Sequence, residues 1–167
     1  MPELPEVETV KRDLSQHVLG QRISAVRVLD ARVIRGISQK QFIAGLKGRT
    51  IQDISRRGKA IICHLDNGYF FIVQLMMTGQ LVYAEKRPDV PLKETKVVFE
   101  LSNGTYLNYN DQRLFGRLTL YKKLEDVKHF AILGLEPFDA AFNPNFIKAS
   151  GIRLCDTFLN SLMVASN

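Results

Sequence analysis

Between residues 49 and 121 the chain repeats one pattern, and that repetition narrows the folds open to it more than anything else in the sequence. Short stretches near 49–56, 59–65, 69–76, 80–84, 96–101, 105–109 and 117–121 are rich in β-branched and aromatic residues. Such residues suit a pleated, half-buried surface. Asp66-Asn67-Gly68 and Ser102-Asn103-Gly104 separate successive members of the series. Asn-Gly supplies the left-handed backbone that closes a tight turn between antiparallel strands. With a further strand suggested by Ile23, Val26 and Val28, the pattern implies a sandwich or barrel-like core.

Helical spacing appears on either side of this block. Val7, Val10, Leu14 and Val18 recur on one face from Pro5 to about Val18, with Pro5 suited to the first turn and Gly20 to the stop. Ser38 is placed to cap a short helix carrying Phe42, Ile43 and Leu46, closed by Gly48. Residues 86–93, KRPDVPLK, read as a polar loop. Beyond Tyr121 helical character returns: Asn143 or Asn145 is a candidate start, and Leu154, Phe158, Leu159, Leu162 and Met163 form the apolar face of another helix. Within 167 residues that face has little left to pack on, so the chain is expected to be cut from a larger protein.

Lys plus Arg number 23 against 17 acidic residues, a net charge of +6 that favours a polyanionic partner. The longest apolar run, Tyr69 to Met77, is far shorter than the roughly 20 residues that span a bilayer and reads as a buried strand, so no membrane partner is expected. Cys63 and Cys155 have no CxxC partner, which signals neither a zinc site nor a disulfide framework. With no signal-peptide pattern at the N-terminus, the expected location is a reducing cytoplasm.

The first eight residues, MPELPEVE, concentrate the chemistry. Removal of Met1 would leave Pro2 as a free secondary amine, a nucleophile for carbonyl carbon. Its aldehyde adduct is an iminium that stays cationic at any pH and acts as an electron sink. The positive end of the first helix disfavours a protonated amine there. Glu3 and Glu6 lie within reach of the same point as candidate proton carriers.

Three internal stretches add to it. RRGK, Arg56 to Lys59, puts three cations around a glycine, either as a phosphate clamp or as a solvated basic turn. QLMMTG ends a buried strand in a threonine-glycine loop, and NDQRLFGR, Asn110 to Arg117, carries an arginine and a phenylalanine before a glycine. An enzyme that acts on a base must take it out of the stack, at a cost of a few kcal/mol. A thioether, a guanidinium and an aromatic ring can fill the vacated space as wedges. Taken singly, Met77 reads equally as core packing, Arg113 as a surface cation and Phe115 as a loop anchor.

The octapeptide, these three motifs and LGLEP at Leu133 to Pro137 resemble, in collinear order, the formamidopyrimidine-DNA glycosylases. The resemblance implies a mainly β α+β fold, a two-layer β-sandwich flanked by α-helices over residues 1–138. Residues 139–167 would open a C-terminal DNA-binding region whose helix-two-turns-helix and zinc finger are missing from the chain. It implies a bifunctional DNA glycosylase and abasic-site lyase of base excision repair, acting on 8-oxoguanine and formamidopyrimidines through Pro2, with Glu3, Glu6 and Lys59 in the catalytic set. Lys59 and Arg57 would meet the DNA backbone, and Met77, Arg113 and Phe115 would act as wedges. The implied partner is damaged double-stranded DNA bound by a monomer. No cofactor or metal is implied here, the family's structural zinc belonging to the missing part.

The sequence departs from the family's usual pattern at Gln74 and Met76, where histidine and glycine are common, at Glu94 and Lys96, where two histidines are common, and at Leu114, where a second arginine is usual. These changes touch expected phosphate contacts and leave the nucleophile and wedges in place. A rival reading is a truncated or degenerate domain that binds DNA weakly without turnover. A proline-dependent tautomerase would explain Pro2 but neither RRGK nor the arginine-phenylalanine loop.

Overall fold

The structure is a computed structural model that describes residues 2–86, 93–136, 139–143 and 145. Helix α1 spans Leu4–Val18 and buries Leu4, Val7, Leu14 and Val18. It starts one residue earlier than its periodicity predicts, because Glu3 takes the N-cap and Pro5 falls inside the first turn, where a missing N–H costs nothing. Strand β1 covers Ile23–Val28. Helix α2, Gln39–Leu46, begins at a reciprocal cap in which the Gln41 amide donates to Ser38 Oγ and the Ser38 amide donates to Gln41 Oε1. Its Phe42 is fully buried, with ring centroids 5.8 Å from Phe71 and 6.5 Å from Phe99.

The remaining strands are β2 Ile51–Arg57, β3 Ala60–Leu65, β4 Phe70–Gln74, β5 Gly79–Ala84, β6 Thr95–Leu101, β7 Tyr106–Asp111 and β8 Arg117–Tyr121. They form two antiparallel four-stranded sheets, β1-β6-β7-β5 and β2-β3-β4-β8. The main core lies between them: Ile61, Cys63, Phe71 and Val73 of one sheet meet Val97, Phe99, Leu107 and Tyr109 of the other, with Val7, Leu14 and Val18 of α1 joining the same cluster. This is the expected mainly β sandwich flanked by helices. The outer face of the second sheet is not left wet. Ala60, Ile62 and Ile72 pack against Val127, Leu124 and Phe130, which belong to a 3-10 turn at Leu124–Asp126, the short helix α3, Lys128–Ala131, and the residue between them. That second cover explains why β3 is buried on both faces.

Turn chemistry follows the sequence closely. Residues 66–68 join β3 to β4 in a three-residue loop closed by Leu65 and Tyr69, with Gly68 at φ 76° in the left-handed region. Gly58 and Lys59 form a two-residue turn between paired Arg57 and Ala60, and Gly58 has φ 56°, as a hairpin that takes glycine first requires. Lys59 therefore sits at a hairpin tip. Two other loops cross between the layers: residues 75–78 carry the chain from β4 to β5, and residues 112–116 carry it from β7 to β8. The polar loop expected at 86–93 falls largely on residues 87–92, and the apolar helical face from Leu154 to Met163 falls wholly on residues beyond 145; both lie outside the described residues.

Candidate nucleic-acid interface and N-terminal site

The start of α1 gathers the groups that the octapeptide promised. Glu3 and Glu6 form a reciprocal capping box, with the Glu3 amide donating to Glu6 Oε2 over 2.8 Å. Two of the donors that any helix start leaves without partners are thereby satisfied. Glu6 thus fixes the backbone beside Pro2. From the β2–β3 hairpin tip, the Lys59 ammonium reaches Glu3 Oε2 at 2.7 Å, its side chain only 11% exposed while Glu3 remains 43% exposed. Pro2 itself is half-buried. The arrangement puts Pro2, the Glu3 carboxylate and the Lys59 ammonium around one helix N-terminus.

Behind this group lies a second one that holds α1, the hairpin and the LGLE segment together. Arg56, 7% exposed, donates to Glu8 Oε2 at 3.0 Å, to Glu136 Oε2 at 2.7 Å and to the Gly58 carbonyl at 2.8 Å. Glu136 also accepts from the Gly58 amide at 2.7 Å and from Arg57 at 3.1 Å. Arg57 further donates to the Leu133 and Gly134 carbonyls at 2.9 and 2.7 Å. Its guanidinium is engaged in tying the hairpin to the 133–136 segment, and Lys59 is the member of RRGK that meets the N-terminal group. Neither Glu8 nor Glu136 stands out in sequence as a partner of Arg56, since they lie 48 and 80 residues away along the chain.

Burial pushes the Glu8 carboxyl up, but hydrogen bonds from Lys11, Arg56 and Arg12 outweigh it and hold the group at about 2 against its ordinary 4.5. Burial likewise raises Glu136, and the Gly58 amide, Arg56 and Arg57 together pull it below its ordinary value. A carboxyl depressed on folding adds stability above its unfolded value that is lost as pH falls through the folded one. Stability measured by urea unfolding is therefore expected to hold down to about pH 4.5 and then decline towards about pH 2. The Glu8→Gln variant should be less stable at pH 7 and should decline less steeply across that window; an unchanged slope would count against this assignment.

The wedge candidates sit on the two loops that cross between sheets. Met77 is 42% exposed and Phe115 48% exposed, unusual for side chains of this size. The Arg113 guanidinium lies 4.9 Å from the Phe115 ring centroid, a cation–π contact that holds both at the loop surface. Both loops share a buried anchor that the sequence did not advertise. Asp111, 0% exposed, accepts from the Thr78 hydroxyl at 2.5 Å, the Arg113 amide at 3.1 Å, the Gly116 amide at 2.8 Å and the Tyr109 hydroxyl at 3.4 Å. Burial raises the Tyr109 hydroxyl well above its ordinary value, and Asp111 adds to the shift. The signal that could have found Asp111 is a charged residue ending a strand in which Asn108 and Asn110 alternate with Leu107 and Tyr109, directly before the arginine-phenylalanine loop.

The departures from the family pattern fall in telling places. Met76 has φ 54° and Leu114 φ 60°, and the family's common glycine at the first of these positions fits a left-handed backbone better than methionine does. Arg35, Met76, Phe115 and Arg117 line a cavity of about 440 Å³ beside the arginine-phenylalanine loop. Among the described residues no group of three or more His, Cys, Asp or Glu side chains could hold a metal ion. Cys63 is buried in the core, its thiol pushed by burial to about 12. No helix among the described residues is long and apolar enough to cross a membrane.

Comparison with known proteins bears directly on this geometry. Residues 1–118 match the formamidopyrimidine-DNA glycosylase N-terminal domain. The formamidopyrimidine-DNA glycosylase of Pelotomaculum thermopropionicum is 41% identical over 150 residues, covering 89% of this chain and 54% of that protein. That of Desulforamulus reducens is 37% identical over 168 residues, covering 98% and 60%. A crystal structure of Lactococcus lactis Fpg with DNA containing an abasic site superposes with TM-score 0.84 at 27% identity, covering 98% of this chain and 62% of that one. A complex of the same enzyme with Fapy-dG-containing DNA gives TM-score 0.83 at 28% identity, covering 97% and 62%. The chain spans between about half and three fifths of the length of these proteins. The matched sequence and the shared sandwich agree, and the chain belongs to the formamidopyrimidine-DNA glycosylase N-terminal domain family.

Proposed function

We propose that these residues form the catalytic half of a DNA glycosylase and abasic-site lyase that removes oxidised purines such as 8-oxoguanine and formamidopyrimidines. The observation that carries the reading is the 2.7 Å Lys59–Glu3 ion pair at the capped helix start beside Pro2. With Met1 removed, the Pro2 nitrogen attacks the anomeric carbon of the damaged nucleotide and the base leaves. Glu3 delivers a proton to the sugar ring oxygen as the ring opens to an iminium. The iminium acidifies the hydrogen on the neighbouring sugar carbon, and its loss expels the 3′ phosphate. A second elimination expels the 5′ phosphate. Lys59 holds the backbone phosphate, Glu6 keeps Glu3 in register, and Met77, Arg113 and Phe115 fill the space the base leaves. The partner is damaged duplex DNA, met by a monomer in a bacterial-type cytoplasm. The net charge of +6 and the Lactococcus lactis Fpg–DNA complexes support the choice of partner.

A second reading is that the chain binds damaged DNA without turnover; it draws on the departures from the family pattern at Gln74, Met76, Glu94, Lys96 and Leu114. Borohydride trapping separates the two. Incubation with a duplex containing an abasic site, followed by reduction, is expected to give a covalent protein–DNA adduct that is absent in Pro2→Gly. DNA binding without an adduct, in material whose intact mass shows Met1 removed, would favour the second reading.

A further inference from the structure

We propose that the Thr78 hydroxyl couples the Met77 loop to the Arg113–Phe115 loop, so that the wedge side chains enter DNA as one unit; this rests on the wedge reading given above. The two loops leave different strands and cross between sheets at separate points in the chain. Thr78 bridges them. Its hydroxyl donates to Asp111 Oδ1 at 2.5 Å and accepts from the Arg113 amide at 3.0 Å. Asp111 in turn holds the second loop at both ends, through the Arg113 amide at 3.1 Å and the Gly116 amide at 2.8 Å.

The partition of these bonds makes the role separable from folding. Without the hydroxyl, the Arg113 amide keeps its bond to Asp111 and Gly116 keeps its own, so the arginine-phenylalanine loop stays anchored. The Met77 loop alone loses its side-chain tether. Each loop also carries a non-glycine residue in the left-handed region directly before an exposed wedge, Met76 before Met77 and Leu114 before Phe115. Such backbone persists where its surroundings over-determine it, and the shared carboxyl is the surrounding group common to both. Thr78 is a positioning residue in this scheme: it touches neither the reacting sugar nor the base.

Groups that act through one rigid unit give non-additive losses, and a double-mutant cycle reads this directly. The probe is a duplex carrying a tetrahydrofuran abasic analogue with 2-aminopurine beside it; affinity is read by anisotropy and insertion by 2-aminopurine fluorescence. Met77→Ala and Phe115→Ala are each expected to weaken binding about tenfold, and together by about the same factor instead of a hundredfold. In the Thr78→Val background the two losses should multiply, and Thr78→Ser should restore the coupling. Thermal melting verifies that each variant is folded, and Thr78→Ala replaces Thr78→Val if the latter melts early. Losses that multiply in the unsubstituted chain, or coupling that survives Thr78→Val, would overturn the inference and leave the wedge reading standing. Phe115→Ala and Met77→Ala that alter neither affinity nor fluorescence would instead sink the wedge reading, and the inference with it.

Discussion

Gly116→Ala is expected to cost the fold about 3 kcal/mol, at the upper end of what overpacking one methyl group does. A Cβ at this position overlaps the Tyr109 hydroxyl and comes within 2.9 Å of Asp111 Oδ2. The usual relief, a small shift of backbone or neighbour, is closed on both sides. Moving the backbone breaks the 2.8 Å bond from the Gly116 amide to Asp111. Moving Tyr109 disturbs a fully buried ring in the main core. Urea unfolding of the variant should show a lowered midpoint with an unchanged slope, and adding Tyr109→Phe should recover part of the loss by removing the clashing oxygen. A change below about 0.5 kcal/mol would mean that the loop has room the geometry does not show.

Arg56→Met is the second large effect, about 3 kcal/mol, the low end of what removing one partner of a buried ion pair costs. Here two carboxylates lose a partner whose side chain is 7% exposed, Glu8 keeping Lys11 and Arg12 and Glu136 keeping Arg57 and the Gly58 amide. Arg56→Lys should recover only a minor share, since one ammonium cannot match a planar fork that reaches Glu8, Glu136 and the Gly58 carbonyl at once. The double variant with Glu8→Gln separates the pairs. It should be less damaging than the sum of its parts if Glu8 and Arg56 interact as the geometry shows. Equal stability of Arg56→Met and the unsubstituted chain would remove the case for a structural role of this network.

What sequence could reveal here was local. Alternating apolar stretches and the turns at 66–68 and 102–104 marked the strands, because strand and turn preferences act over a few residues. The octapeptide set Glu3 and Glu6 beside Pro2 for the same reason, whereas the capping box that the two form emerges only in the folded helix. Arg57 shows the limit. Adjacent basic residues look alike whether they face phosphate or a carboxylate, and its partner Glu136 lies 79 residues further on. Asp111 and Thr78 were equally silent, being 33 residues apart and joined only once β5 pairs with β7. The first turn of α1 was mispositioned by one residue because periodicity reports a buried face and says little about the cap.

Because the Met77 loop and the Arg113–Phe115 loop both run from one sheet to the other, the gap that each has to span is a property of the core. Stacked sheets lie roughly 10 Å apart, and each loop covers that gap in a few residues. The volumes of Phe71, Phe99 and Tyr109, packed between the layers, thus act as a spacer for the loops at the surface. A larger or smaller side chain deep in the sandwich would change that span without touching any residue of either loop, so the interior of this protein helps to set how Met77 and Phe115 stand at its surface.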